Sequence, residues 1–360
     1  MADTKRLSWI DTAKGISIIL VVMMYSAYSV GEDTGSISYL NYVIGFATPF
    51  RMPEFFLISG LFLSQVIARP WARFTDRRAV HYFYFYALWV VIHIGTKTVL
   101  GGLNPLDSLG EIATSIIAPY GVLWFIYMLG VFSIAAKILW DLRIAHWVAL
   151  PLALGLQMLT VETGFYALNQ FAEYFVYFYL GYAAAPHIFK FIAWIENHKP
   201  VALASLAAWA LINGALVFSP GFEILPVHME MGLAAFPGLH FALAVAGAMA
   251  ILVASALLAP FASMNWLTWI GAHSIVIYLA FALPMSIIRV GLLKLGLISD
   301  VHVLSTVVFV ASIISPVVLY FAIQFTGWGK FLFTRPAWAS LPSINSDTHP
   351  APRPDQVPAE

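Results

Sequence analysis

The first residues with chemical potential are Asp11, Lys14 and Tyr25, which share one long apolar run over residues 6–30. At about 100° per residue, the eleven residues from Lys14 to Tyr25 advance to within about 20° of three full helical turns. The two side chains therefore point the same way, roughly 16 Å apart along the helix. A cation at the entrance of a membrane helix, followed by hydroxyls on the same face, predicts the wall of a polar passage. The alternative is an ordinary i,i+3 pair of Asp11 with Lys14 and a Tyr25 that packs against a neighbour.

A second pair of charges lies in the apolar segment PFRMPEFFLISG, where Arg51 precedes Glu54 by three residues and Pro53 lies between them. An ionisable side chain inside a membrane span is costly and by default faces protein or water. One interpretation is that the two charges neutralise each other while Pro53 breaks the helix. The other is a fixed charge pair at a broken helix that lines the passage.

Arginines are concentrated in the stretch ARPWARFTDRR, which contains Arg69, Arg73, Arg77 and Arg78. Such a cluster is typical of a positively charged cytoplasmic loop. It is also suited to phosphate binding, because a guanidinium group binds two phosphate oxygens at once, and coenzyme A carries a pyrophosphate and a ribose phosphate. The sequence leaves both interpretations open.

Three further polar residues fall at similar depths in different apolar runs. Counted at 1.5 Å per residue from the predicted span ends, Tyr25, His93 and Glu173 each lie roughly 20 Å into the membrane. We therefore predict that they meet in one layer, the alternative for His93 being a buried histidine satisfied by a neighbour. The tyrosines of the third and sixth runs, Tyr174 among them, are mostly assigned to packing or to an interfacial belt.

The elements that must position these residues follow from composition. Of 360 residues, 61% are hydrophobic and 10% are charged, against roughly 25% charged in an average soluble domain. Runs of about 20 apolar residues cross the bilayer as helices. The sequence therefore predicts an all-α, polytopic membrane bundle. The formal charge of zero and the absence of cysteine argue against a nucleic-acid partner and a thiolate metal site, and the scattered histidines predict no metal site.

Apolar runs between breaks predict about ten spans. They lie near residues 10–30, 42–67, 79–99, 120–139, 146–161, 167–187, 201–219, 236–259, 267–290 and 302–326. Most basic residues fall on one set of alternate connections, so the positive-inside rule predicts that both termini are cytoplasmic. We assign residues 1–335 to one transmembrane domain and the proline-rich residues 336–360 to a disordered cytoplasmic tail.

Several motifs, taken in order, resemble acyltransferase family 3, a family of bacterial membrane proteins. They are DTAKGI, a polar position eleven residues after the lysine, PFRMPEFFLISGLFL, the arginine-rich connection, GVLWFIYML around Trp124, EYFVYFYLGY and IGAHSIVIYLAF. The resemblance runs from about residue 6 to residue 333, nearly the whole chain. It implies a multi-pass protein of the bacterial inner membrane that moves an acyl group, often acetyl or succinyl, from cytoplasmic acyl-CoA to a hydroxyl of an extracytoplasmic glycan.

The resemblance also implies roles for individual residues. Lys14 matches the basic residue of the family's basic-x10-His pattern, and Arg73 and Arg77 match its cytoplasmic arginine motif, with Arg78 beside them. Acyl-CoA is then a co-substrate, and no bound cofactor is expected. The candidates for donor or substrate binding are Arg51, Glu54, Arg73, Arg77, Arg78 and Trp124.

The sequence departs from the family pattern at Tyr25, which stands where the family has its catalytic histidine. At pH 7, forming a phenolate from an ordinary tyrosine costs about 4 kcal/mol, whereas histidine is largely a free base. The interpretation is that Tyr25 positions the acceptor or donates to a developing oxyanion, that Lys14 and Asp11 admit the acyl arm, and that His93 or Glu173 is the base. The alternative is a catalytically silent relative that acts as a small-solute carrier or as a partner in envelope assembly.

Overall fold

The computed structural model describes residues 7–102 and 104–341, which are helical almost throughout, and the predicted all-α class is confirmed. The α-helices are α1 Ser8–Thr34, α2 Tyr39–Ala47, α3 Arg51–Leu61, α4 Trp71–Thr75, α5 His81–Gly101, α6 Pro105–Thr114, α7 Trp124–Asp141, α8 His146–Met158, α9 Tyr166–Glu196, α10 Lys199–Val217, α11 Pro237–Leu258, α12 Asn265–Ala272, α13 Ser274–Ala280, α14 Ala282–Leu295 and α15 Val301–Thr326. A π-helical segment, Asp76–Val80, joins α4 to α5, and the strands β1 Glu223–Ile224 and β2 Met229–Glu230 form a short antiparallel ribbon.

Six helical segments of the described chain are long and apolar enough to cross a membrane, and a seventh is added if α13 and α14, bent by 48°, count as one span. The predicted count of ten spans is therefore not confirmed. Helix α9 is long enough, with 31 residues, but its many tyrosines lower its hydropathy below that of the six. Helix α8 has 13 residues and reaches only about 20 Å at 1.5 Å per residue, less than the hydrocarbon core.

The predicted second span is interrupted between α2 and α3, at residues 48–50. Pro53 lies in the first turn of α3, where its missing N–H costs little. Its ring would clash with the carbonyl of the residue four positions earlier, so the helix cannot continue backwards without a break. The interruption predicted at Pro53 is thus displaced toward the N-terminus, and Arg51 becomes the first residue of a new helix.

Helices α3 and α9 cross at very short range through two glycines. A Cβ added at Gly60 would overlap the carbonyl oxygen of Phe178, and a Cβ added at Gly181 would overlap that of Leu57. Small residues at a crossing allow two membrane helices to approach backbone to backbone. This crossing fixes the helix that carries Arg51 and Glu54 against the helix that carries Glu173.

Helices α1 and α12 meet in the same way. A Cβ at Gly15 would overlap the carbonyl oxygen of Leu267, and a Cβ at Gly271 would overlap that of Asp11. The entrance of α1, with Asp11 and Lys14, is therefore held against α12 rather than exposed to lipid on all sides.

The end of the described chain folds back onto the π-helical segment that precedes α5. The Arg335 guanidinium donates to the Asp76 carboxylate at 2.7 Å and to its backbone carbonyl at 2.8 Å, and the N–H of Leu341 donates to the same carboxylate at 2.9 Å. Residues 336–341, the first of the predicted tail, include the turn Ala337–Ala339. Residues 342–360 lie outside the described residues, and so does Arg6.

Candidate functional site

Tyr25 lies in the middle of the bundle, where its hydroxyl accepts a hydrogen bond from Trp124 Nε1 at 3.3 Å. The Trp124 ring lies 5.5 Å from the ring of Tyr174, between centroids. The Arg51 side chain is within electrostatic range of Tyr25, Tyr28 and Tyr174. We call these five residues, Tyr25, Tyr28, Arg51, Trp124 and Tyr174, the tyrosine layer. It joins α1, α3, α7 and α9.

Arg51 is the only charged side chain of this layer, and it is 7% exposed. Its Nε and Nη1 atoms are buried and have no hydrogen-bond partner among the described residues. A buried guanidinium with unmet donors is costly unless a ligand or water supplies the acceptor. The groups that could satisfy these N–H donors are oxygen atoms of water or of a bound molecule.

Glu54, three residues later on α3, is fully buried beside Ser17 of α1, about two helical turns from Tyr25. The hydroxyl of Ser17 lies beside its carboxyl group but donates to the carbonyl of Ala13 at 2.8 Å, so neither carboxyl oxygen has a partner in the described part of the chain. Nor is an ion pair between Arg51 and Glu54 found in that part. The mutual neutralisation considered from the sequence is not what the structure contains, because Arg51 lies near Tyr25 and Tyr28 whereas Glu54 lies near Ser17, at a different level of α1.

Lys14 and Asp11 form the predicted i,i+3 pair, with 3.6 Å between Nζ and Oδ1. Lys14 also lies over the ring of Phe62, 5.0 Å from its centroid, and borders a cavity of about 180 Å³, which we call the inner cavity. Its walls include Lys14, Phe55, Ser59, Tyr82, Phe125 and Tyr278. The cavity begins at the end of the bundle that carries the arginines and runs toward the tyrosine layer.

Aromatic rings close the inner cavity before it reaches Tyr25. Phe125 lines the cavity and packs against Phe55 at 4.8 Å and Phe56 at 4.5 Å, and its ring also contacts those of Trp124 and Tyr278. Tyr25 is not part of the cavity wall. The polar passage predicted from Lys14 to Tyr25 is therefore interrupted by one layer of rings.

The arginines of the connection divide into two groups. Arg73 and Arg77 are exposed at the surface, as phosphate binding requires. Arg78 is partly buried and donates to the carbonyl of Phe62 at 3.0 Å and to the hydroxyl of Tyr82 at 3.2 Å. Arg78 thus ties the end of α3 to α5 and holds a wall of the inner cavity.

Glu173 borders a second cavity of about 470 Å³ at the opposite end of the bundle, which we call the outer cavity. Its polar wall consists of Gln157, Thr160, Glu162, Tyr166, Asn169, Gln170, Glu173 and His240. The Glu173 carboxylate lies beside the Tyr174 hydroxyl, and the ring of Tyr166 lies 6.3 Å from that of Trp124. Glu173 and Tyr25 therefore meet around the same aromatic rings.

His93 is not part of this arrangement. It borders a third cavity, between α5 and α14, and its ring contacts Trp89 and Tyr120 at 6.1 and 6.3 Å. No hydrogen bond or ring contact joins it to Tyr25 or Glu173 within residues 7–102 and 104–341. Depth along a span was predicted from the count of residues, but rotation about the helix axis was not, and it places His93 on another face.

The sequence analysis also missed residues that the structure brings to the site. Tyr174 was assigned to packing, and Tyr166, Gln157 and His240 were not singled out. One signal was available for the outer cavity, because Asn169, Gln170 and Glu173 follow each other at helical spacing at the start of α9. The described residues contain no group of three or more His, Asp or Glu side chains that could hold a metal ion.

Comparison with known proteins agrees with the motif order. The family model described as an acyltransferase domain, that of acyltransferase family 3, matches residues 7–322. The chain is similar to the inner membrane protein YcfT of Escherichia coli strain K12, with 27% identity over 234 residues, which cover 59% of this chain and 65% of that relative. The chain thus spans slightly less than two thirds of that relative, and no solved structure matches it. Since the family model covers well over half of the chain, this multi-pass membrane protein belongs to acyltransferase family 3.

Proposed function

We propose that this protein is an O-acyltransferase of the bacterial inner membrane. It moves an acyl group of the acetyl or succinyl type from cytoplasmic acyl-CoA to a hydroxyl of a glycan or similar acceptor on the other side of the membrane. The observation that carries this proposal is the buried guanidinium of Arg51, two of whose nitrogen atoms have no partner among the described residues, beside the Tyr25 phenol, with one cavity on each side of the layer.

The donor enters from the arginine end of the bundle. Arg73 and Arg77, both exposed, bind the phosphates of coenzyme A through paired N–H groups. The inner cavity, of about 180 Å³, holds roughly six water volumes and is too small for the whole coenzyme. It therefore receives the acyl end, which passes Lys14 and displaces the rings of Phe125 and Phe55 to reach the layer.

The reaction in the tyrosine layer is attack of the acceptor hydroxyl on the thioester carbonyl. A C–O bond forms, negative charge develops on the carbonyl oxygen, and the C–S bond then breaks to release coenzyme A as its thiolate. Donors placed where charge develops lower such a barrier most in a site without water. The free N–H groups of Arg51 supply this stabilisation, and the Tyr25 hydroxyl, held by Trp124, positions the reacting groups.

The acceptor enters from the outer cavity, whose amide, hydroxyl and carboxylate groups suit a polyhydroxylated compound. The Oε1 atom of Gln157 is buried in this part of the structure without a hydrogen-bond partner among the described residues, and accepts from an acceptor hydroxyl. Glu173 takes the proton of the attacking hydroxyl. Its position on the cavity wall next to Tyr174 supports this role.

The test is transfer of a labelled acyl group by the purified protein in nanodiscs, with acetyl-CoA or succinyl-CoA and a cell-envelope acceptor fraction. We expect labelled acceptor with the wild type and a large loss with Tyr25→Phe. The matched control is Tyr127→Phe, because the Tyr127 hydroxyl donates to the carbonyl of Ile116 at 3.1 Å and lies away from the layer. If the wild type shows neither acyl transfer nor hydrolysis of the donor, the result contradicts catalysis.

A second candidate is a catalytically silent relative that carries a small solute or serves envelope assembly. Two observations favour it: the phenol at position 25, where ionisation of an ordinary tyrosine at pH 7 costs about 4 kcal/mol, and the rings that close the inner cavity. The variant Tyr25→His separates the two candidates. If the wild type is silent and Tyr25→His transfers acyl groups, the protein has lost its activity through the change at this residue. If the wild type is active and Tyr25→His loses transfer, the reaction uses the tyrosine.

A further inference from the structure

The cavity that contains His93 lies between α5 and α14, at the end of α5 opposite to the arginines, and has a volume of about 630 Å³. Helix α5 packs on α7 and helix α14 packs on α15, and the cavity lies between these two pairs of helices. We call it the α5–α14 cavity. Neither the donor route nor the acceptor route described above uses it.

The walls of this cavity are mainly apolar and open toward the lipid. Leu283, Ile287 and Val290 line it from α14, and Leu100 lines it from α5. Leu100 is 68% exposed and Ile287 is 54% exposed, and large apolar side chains exposed on a membrane-spanning helix face lipid tails. An acyl chain can therefore enter from the bilayer without crossing polar surface.

Cations lie at the mouth of the cavity. Lys97 is paired with Glu111 at 3.0 Å, which neutralises its charge. Lys294, in the last turn of α14, is exposed and has no acidic partner within the described parts of the chain. Lys294 is thus an uncompensated positive charge at the edge of an apolar space.

A polar group is also buried inside. His93 is 9% exposed, lines the cavity, and its Nε2 atom has no hydrogen-bond partner in the part of the chain that the structure describes. It lies four residues before Lys97, about 6 Å deeper along the same face of α5. A buried ring nitrogen without a partner costs free energy until an occupant supplies a polar atom.

We propose that the α5–α14 cavity binds an anionic glycerophospholipid of the bilayer. Its phosphate lies at Lys294, the Nε2–H group of His93, in the tautomer protonated at Nε2, donates to an ester carbonyl oxygen of its glycerol region, and one acyl chain follows Leu283 and Ile287. From the mouth of the cavity inward, Lys294, His93 and the apolar wall follow the same order as the phosphate, the ester groups and the acyl chain of such a lipid. The uncompensated charge of Lys294 selects an anionic headgroup. His93 then binds lipid and takes no part in acyl transfer.

The test is lipid binding to the delipidated full-length protein in detergent, by native mass spectrometry and by the thermal unfolding midpoint. We expect phosphatidylglycerol to bind and to raise the midpoint more than phosphatidylcholine does. Lys294→Gln should weaken phosphatidylglycerol binding about fivefold, as expected for one basic residue at a lipid surface, and leave phosphatidylcholine unchanged.

A second variant tests the apolar wall. Gly291 lines the cavity, and a Cβ at this position meets no atom within 4 Å, so Gly291→Leu fills the space without displacing protein. We expect it to abolish the preference for phosphatidylglycerol. The matched control is Gly155→Leu on α8, where a Cβ also meets nothing within 4 Å, and it should keep the preference.

Three results would overturn the proposal. They are equal binding of the two lipids by the wild type, unchanged lipid binding in Gly291→Leu, and equally strong binding of soluble glycerol 3-phosphate, which lacks the acyl chains. Because these measurements read lipid binding and not transfer, their outcome is independent of whether the protein is an active acyltransferase.

Discussion

Replacing Arg51 by methionine should separate stability from activity. The Nε and Nη1 atoms of Arg51 are buried and have no partner among the described residues, and a buried donor without an acceptor costs about 1–3 kcal/mol. Methionine keeps a long unbranched side chain and removes both unmet donors, at the cost of some packing. We therefore expect Arg51→Met to leave the free energy of unfolding unchanged or to raise it by about 1–3 kcal/mol. Acyl transfer should fall about 10²- to 10³-fold, as when one donor to a developing oxyanion is lost.

The matched control is Arg78→Met, which removes an arginine that is hydrogen-bonded to protein. Its guanidinium donates to the carbonyl of Phe62 and the hydroxyl of Tyr82. Losing these two charge-assisted hydrogen bonds should lower the free energy of unfolding by about 2–4 kcal/mol. Arg78→Met should therefore lower the thermal unfolding midpoint in detergent, whereas Arg51→Met should raise it or leave it unchanged.

The same purified samples are assayed for transfer of labelled acyl groups in nanodiscs. The reasoning fails if Arg51→Met lowers the unfolding midpoint as much as Arg78→Met and keeps most of the transfer rate. That outcome would make Arg51 a structural residue whose partners are supplied by the protein or by water in the folded state.

Three further predictions concern the surroundings of the site. Phe125→Leu should widen the inner cavity at the end that the aromatic rings close, and should lower the free energy of unfolding by about 1–2 kcal/mol. Transfer from butyryl-CoA should then rise relative to transfer from acetyl-CoA in competition assays. Gly60→Ala should destabilise the protein by more than about 2 kcal/mol, because the added Cβ overlaps the Phe178 carbonyl and forces α3 away from α9; an unchanged unfolding midpoint would contradict this crossing. Asp76→Asn should release the segment held by Arg335, so limited proteolysis should cut near residues 330–341 sooner than in the wild type.

Periodicity and depth predicted part of the site well. The i,i+3 pair of Asp11 and Lys14, which was the alternative to a polar passage, is present, and Lys14 also borders the inner cavity. Tyr25 and Glu173 were predicted to share a level, and they lie around the same rings of Trp124, Tyr166 and Tyr174. These predictions needed only the rise of a helix and the position of its ends, which apolar runs reveal.

Rotation and packing could not be predicted from the same pattern. The residue count places His93 at the depth of Tyr25, but His93 lies on a face of α5 that is turned to α14. Arg51 and Glu54 have the spacing of an ion pair, yet the crossing of α3 with α9 and the packing of α1 direct them to different neighbours. The sequence also does not predict that Phe125 and its aromatic neighbours close the inner cavity, because which aromatic residues meet depends on tertiary contacts.

Arg51 and Glu173 are assigned different tasks, and this division can be tested directly. A guanidinium keeps its charge throughout the working range of pH, so Arg51 can stabilise a developing oxyanion but cannot remove a proton. The proton of an acceptor hydroxyl must leave to another group, and Glu173 borders the cavity from which the acceptor enters. Hydroxylamine attacks a thioester as a neutral amine and needs no base to form the first bond. We therefore expect hydroxylamine to restore acyl transfer in Glu173→Gln but not in Arg51→Met, measured as acyl hydroxamate after the reaction without protein has been subtracted. Restoration of both variants, or of neither, would show that charge stabilisation and proton removal are not divided between these two residues.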